Sequence, residues 1–189
     1  MPTDHLASVK TAEVCKRFPL TPEGAKLLKP ELTPQKFLEA LMGGQHFIDA
    51  VRFLAHALPK REAVWWACVC ARQVADGKEP APYKAALTAA EKWVSDASED
   101  SRRATMPAAE AAELATPAGC AAMAAFWSGG SLAPAQNPVV PPADHLTGHG
   151  AASSILLSAV RTQPEKASEK YKKFLAAGLD VAKGTNKWK

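Results

Sequence analysis

Pro59–Gly77 reads PKREAVWWACVCARQVADG, and its middle decides the fold class. From Ala63 to Ala71 every residue is apolar, so a helix built from it is apolar on all faces and has to be surrounded by protein. A buried strand is the competing reading of so short a run. The pattern continues into Arg72, Gln73 and Val74 without a turn, and that length favours the helix. Lys60, Arg61 and Glu62 form its first turn and Gly77 ends it. Such a helix needs walls, and the flanking sequence supplies more helices.

Upstream, Phe47, Ile48, Val51, Leu54, Ala55 and Leu58 recur at helical spacing and mark one apolar face of a helix that stops at Pro59. Thr33-Pro34 is a cap followed by proline at the first helical position, and Gly43-Gly44 closes the helix carrying Phe37, Leu38 and Leu41. Two shorter helices are expected at Thr11–Phe18 and Pro22–Lys29. Downstream, Tyr83, Ala86, Leu87, Ala90, Trp93, Val94 and Ala97 form the next stripe. Ser98-Glu99-Asp100-Ser101 caps a further helix that Pro107 is expected to interrupt or kink. Thr116-Pro117 begins the one ending with Met123, Phe126 and Trp127, and Gly129-Gly130 stops it. Helices at Thr147–Val160 and from Pro164-Glu165 onward follow, the latter burying Tyr171, Phe174, Leu175, Gly178 and Ala182. The expected architecture is all-α: a single-domain helical bundle, or a short stack of helical hairpins, over residues 1–184 with a polar tail at 185–189.

Ser128 to Leu146, SGGSLAPAQNPVVPPADHL, breaks the pattern. Its four prolines exclude an ordinary helix and a central strand. Long loops in compact domains are uncommon and often functional. Leu132, Val139 and Val140 lead us to expect that this one packs down on the helices. Arg61, with five donors, is the expected anchor for its carbonyls.

The composition fits this picture. The chain has 189 residues, 47% hydrophobic, 22% charged and 7% aromatic, with a net charge of +4. These values suit a globular protein and leave no room for collagen-like or wholly disordered classes. The apolar run at Ala63–Ala71 is about half of what a membrane span requires, and MPTDHLASVKTAEVCK lacks the apolar core of a signal peptide. A cytoplasmic protein without a membrane partner is expected. Cys15, Cys68, Cys70 and Cys120 are not spaced as a disulfide framework and are expected to be free thiols. Lysines gather at 166, 170, 172, 173, 183, 187 and 189, but Glu165, Glu169 and Asp180 interrupt them, so a solvated helix face is expected and no nucleic-acid partner.

No catalytic signature is present: no Gly-x-Ser-x-Gly, no His-Glu-x-x-His, no phosphate-binding Gly-rich loop before Lys-Ser or Lys-Thr, no Cys-x-x-Cys. Asp144, His145 and His149 are the one cluster with metal-ligand character, and a zinc site would need more local ligands than these. No metal and no cofactor are expected. His46 and Asp49 are expected to pair on a helix surface. Trp65 and Trp66 are expected in the core. The residues expected to meet a protein partner are Lys60, Arg61 and Glu62 at the helix start, with Leu132, Gln136, Asn137, Val139 and Val140 in the loop.

Leu58–Arg72, LPKREAVWWACVCAR, and Phe126–Pro134, FWSGGSLAP, resemble the hallmark segments of an uncharacterised family of small bacterial proteins. Some members are encoded beside type VI secretion genes. The resemblance implies an accessory role, an adaptor or effector chaperone of a secretion apparatus, and carries no catalytic residues with it. Two alternatives stand beside this expectation. One is an immunity-type protein that neutralises a co-encoded toxin. The other is a metal-dependent enzyme using Asp144, His145 and His149.

Overall fold

Hydroxyl caps start four of the helices at positions the sequence marks. Thr21, Thr33, Ser98 and Thr116 each accept a hydrogen bond from the backbone N–H three residues on, and a proline or glutamate follows each. In a computed structural model describing residues 4–188, the chain forms ten α-helices and two 3-10 turns, with no strand among those residues. Residues 1–3 and 189, which the expected domain and tail include, lie outside the described residues. The helices are α1 Thr11–Cys15, α2 Pro22–Leu27, α3 Pro34–Gly43, α4 Phe47–Ala57, α5 Lys60–Gln73, α6 Ala81–Asp96, α7 Glu99–Ala111, α8 Pro117–Phe126, α9 Leu146–Arg161 and α10 Ala167–Ala182. The first two are shorter than the sequence suggests. The architecture is an all-α single domain.

The apolar run lies in α5, which packs against α6, α8, α9 and α10. Trp66 is fully enclosed, and its indole N–H donates to the carbonyl of Phe174 on α10 at 2.7 Å. That bond satisfies the polar atom a buried tryptophan carries. The enclosure is not complete. Trp65 and Val69, one turn apart, form a half-buried stripe. The Trp65 indole donates to Asn186 Oδ1 at 3.2 Å and meets the Trp188 ring edge-on, so the stretch expected as a polar tail folds back to cover it.

The helix buried at every position is α8, PAGCAAMAAF, wedged among α5, α6, α7 and α9. Its alanines let neighbours approach closely. Gly150 on α9 stands so near Ala124 that a Cβ there would lie 2.8 Å from the alanine's own. Pro107 does not interrupt α7, which continues to Ala111. Ile48, expected on the buried face of α4, is 44% exposed.

Candidate functional site

The residues singled out in the sequence fall into two places. At the start of α5 the three charged side chains diverge. Lys60 reaches Asp144 at 3.3 Å, and Glu62 lies 3.6 Å from His5. Arg61 does not hold the long loop. Its guanidinium donates to the carbonyls of Val94 and Ser95 at the end of α6 and lies over the Trp188 ring. The last carbonyls of a helix lack intrahelical partners and sit at its negative end, so a cation is well placed there.

The loop is anchored instead by Arg102 and Arg103 of α7. Arg102 is almost wholly buried; it donates to the carbonyls of Phe126 and Ser131 and pairs with Glu99, while Arg103 donates to the carbonyl of Ala133 at 3.1 Å. The Arg102 hydrogen bonds hold the Glu99 carboxyl below the usual range. Gly130 adopts φ +61°, and a Cβ there would lie 2.7 Å from the Arg102 guanidinium, so both backbone and space call for glycine. Beyond it the loop closes on itself. Ser131 Oγ accepts from the N–H groups of Ala133 and Val140, and Leu132 N–H donates to the Val140 carbonyl at 2.8 Å. Leu132 packs on the core. Gln136 and Asn137 are exposed. Val139 and Val140 do not pack down on the helices as expected; they are 75% and 50% exposed. Two hydrogen bonds span the neck of this loop, from the Val140 N–H to Ser131 Oγ and from the Leu132 N–H to the Val140 carbonyl, leaving the valine pair outside.

The histidines gather elsewhere. His145, His149 and His56 form a chain of edge-to-face rings with centroids 5.0 and 4.8 Å apart, and His56 stacks on Phe18. Asp144 turns away to Lys60, and among the described residues no group of three His, Cys, Asp or Glu side chains converges as metal ligands would. In the sequence His56 falls one helix-length on from His46 and Asp49, and nothing local joins it to His145 and His149, because α9 brings those two from far along the chain. It is buried, and burial, reinforced by the charges of His149 and Arg17, lowers its pKa to about 4. Its Nδ1 lies 2.8 Å from the Arg52 carbonyl. Beside it is a cavity of about 230 Å³ lined by Arg17, His56, Lys60, Asp144, Thr147 and Gly148 together with Ala55, Leu58 and Pro59.

Asp49, expected on the surface with His46, is buried. It accepts from the N–H and hydroxyl of Thr21, and so ties α4 to the start of α2. The four cysteines are free; burial raises the Cys15 and Cys120 thiols to about 11 and those of Cys68 and Cys70 further. Such thiols are poor nucleophiles.

A family model matches residues 37–182, from within α3 to the last residue of α10. The chain belongs to DUF6931, a family of unknown function. No curated protein and no solved structure matches it. The DUF6931 span contains both distinctive segments, the pinned loop and the whole histidine chain. Arg17, which lines the cavity, and Phe18, which stacks on His56, lie before it.

Proposed function

We propose that the protein is a non-enzymatic cytoplasmic accessory protein that binds another protein, as an adaptor or effector chaperone, through the loop 131–140. The observation that supports this most is the pair Val139 and Val140, exposed on a loop whose backbone is already fixed by Arg102, Arg103 and Ser131. A loop ordered before binding loses less conformational entropy on association, and an apolar tip supplies surface to bury. Among the described residues no helix is long and apolar enough to cross a membrane. The resemblance of Leu58–Arg72 and Phe126–Pro134 to proteins encoded beside type VI secretion genes makes a secreted effector or a secretion component the partner to try first.

Co-purification with the products of neighbouring genes supplies the partner. Replacing Gln136–Val140 by a Gly-Ser linker of equal length then tests the surface. The expected result is affinity weakened by about tenfold or more in a variant that still folds. Unchanged affinity would remove the loop and move the search to the lysine-rich face of α10. Neutralisation of a co-encoded toxin would place the protein among immunity proteins instead, and stoichiometric metal would favour an enzyme built on Asp144, His145 and His149.

A further inference from the structure

Among the described residues, three buried side-chain polar atoms have no hydrogen-bond partner: His56 Nε2, Thr147 Oγ1 and the Tyr83 hydroxyl. The first two belong to residues lining the same cavity. Leaving a buried polar atom unsatisfied is costly, so two at one site ask for an occupant. The larger groove between Leu6–Ala12 and Pro30–Gln35, about 620 Å³, makes no such demand; Asp4 there caps the Leu6 N–H, and the Thr11 hydroxyl donates to the Leu32 carbonyl.

We propose that the cavity between α4, α5 and α9 is a binding site for a small oxyanion that also carries a hydroxyl group, such as hydrogen phosphate or a hydroxycarboxylate. Negative charge is favoured by Arg17 and Lys60 on its wall. The Asp144 carboxylate that Lys60 meets is 95% exposed and so leaves that ammonium poorly neutralised. Thr147 and Gly148 sit in the first turn of α9, a helix whose N-cap, His145, makes no side-chain cap bond. The N–H groups of a first turn have no intrahelical partner and attract anions.

The need for a hydroxyl follows from His56. A carbonyl can only accept, so the contact of Nδ1 with the Arg52 carbonyl places the ring proton on Nδ1 and leaves Nε2 a bare acceptor. The ring lies close against the start of α9: a Cβ on Gly148 would stand 2.6 Å from Cδ2 and 2.9 Å from Nε2. The ligand therefore donates a hydrogen bond to His56 Nε2 and accepts hydrogen bonds from Thr147 and the cations. Sulfate and acetate, which carry no hydroxyl near neutral pH, meet only half of these demands.

Isothermal titration of the full chain at about pH 7.5 with phosphate, D-glycerate, sulfate and acetate tests this. Phosphate or glycerate is expected to saturate with a Kd of about 1 mM or tighter, and whichever does so identifies the source. The matching control, sulfate or acetate, is expected to bind about tenfold more weakly. Thr147→Val and Lys60→Gln should each weaken binding by a similar factor, with Lys173→Gln without effect. Lys60 lies at the rim, so Lys60→Gln remains informative if Thr147→Val does not fold. No saturation by either ligand up to about 10 mM would leave the two atoms to a bridging water and overturn the proposal. Equal binding of the controls, or binding indifferent to Lys60→Gln, would overturn it as well.

Discussion

His56 is where burial has a consequence measurable in solution. In the folded chain its pKa is lowered to about 4, while in the unfolded chain it returns to about 6.5. Between those values the unfolded state takes up a proton that the folded state refuses. The stability due to the neutral ring is therefore complete above about pH 6.5, falls as the pH drops, and is spent below about pH 4. The whole effect is about 3 kcal/mol, of which about 2 kcal/mol is gone at pH 5. Burial also lowers the pKa of His149, which adds in the same direction. Urea unfolding at pH 7.5 and 5 should show this loss in the natural chain and a clearly smaller one in His56→Gln. An equal loss in both would place the titration elsewhere.

Arg102 plays the corresponding part at the scale of an element. It joins α7 to the end of α8 and to the loop, and its removal leaves the carbonyls of Phe126 and Ser131 without those donors. Arg102→Met should cost about 2–4 kcal/mol, with faster hydrogen exchange at the Leu132 and Val140 amides and protected helices throughout. Unchanged exchange at those two amides would show that Ser131 alone closes the loop. The sequence makes the loop visible through its prolines, but it points to Arg61 as the anchor. Both arginines lie near a helix start and both bind carbonyls at the end of another element. Which carbonyls each one meets depends on how α6, α7 and α8 cross, and periodicity carries no information about crossing. The exposure of Val139 and Val140 was hidden for a similar reason: Leu132 and Ser131 are enough to hold the loop, so the remaining apolar residues are free of the core.

Over the whole molecule, helix number, caps and order are written locally, in Thr-Pro and Ser-Glu starts and in Gly-Gly ends, and these were legible. The innermost layer was only half legible. The apolar run of α5 announces burial, whereas α8, enclosed at every position, is built of alanine and glycine and looks unremarkable until its neighbours close around it. The two tryptophans separate on the same ground. Trp66→Ala should cost about 3–5 kcal/mol. Trp65→Ala should cost less, about 1–2 kcal/mol, because its ring is half-buried at the edge of the core and covered on its outer side by the tail. Denaturant midpoints of the two variants check the ranking, and equal losses would mean that the tail covers Trp65 as firmly as the core covers Trp66. The same tail meets α5 in its first turn, where Arg61 lies over Trp188 and the next residue, Glu62, receives His5 from the opposite terminus. Residues near both ends are thus moored to adjacent positions on one helix. Opening that single turn would therefore release both segments together, so their amides should exchange with solvent as one cooperative unit.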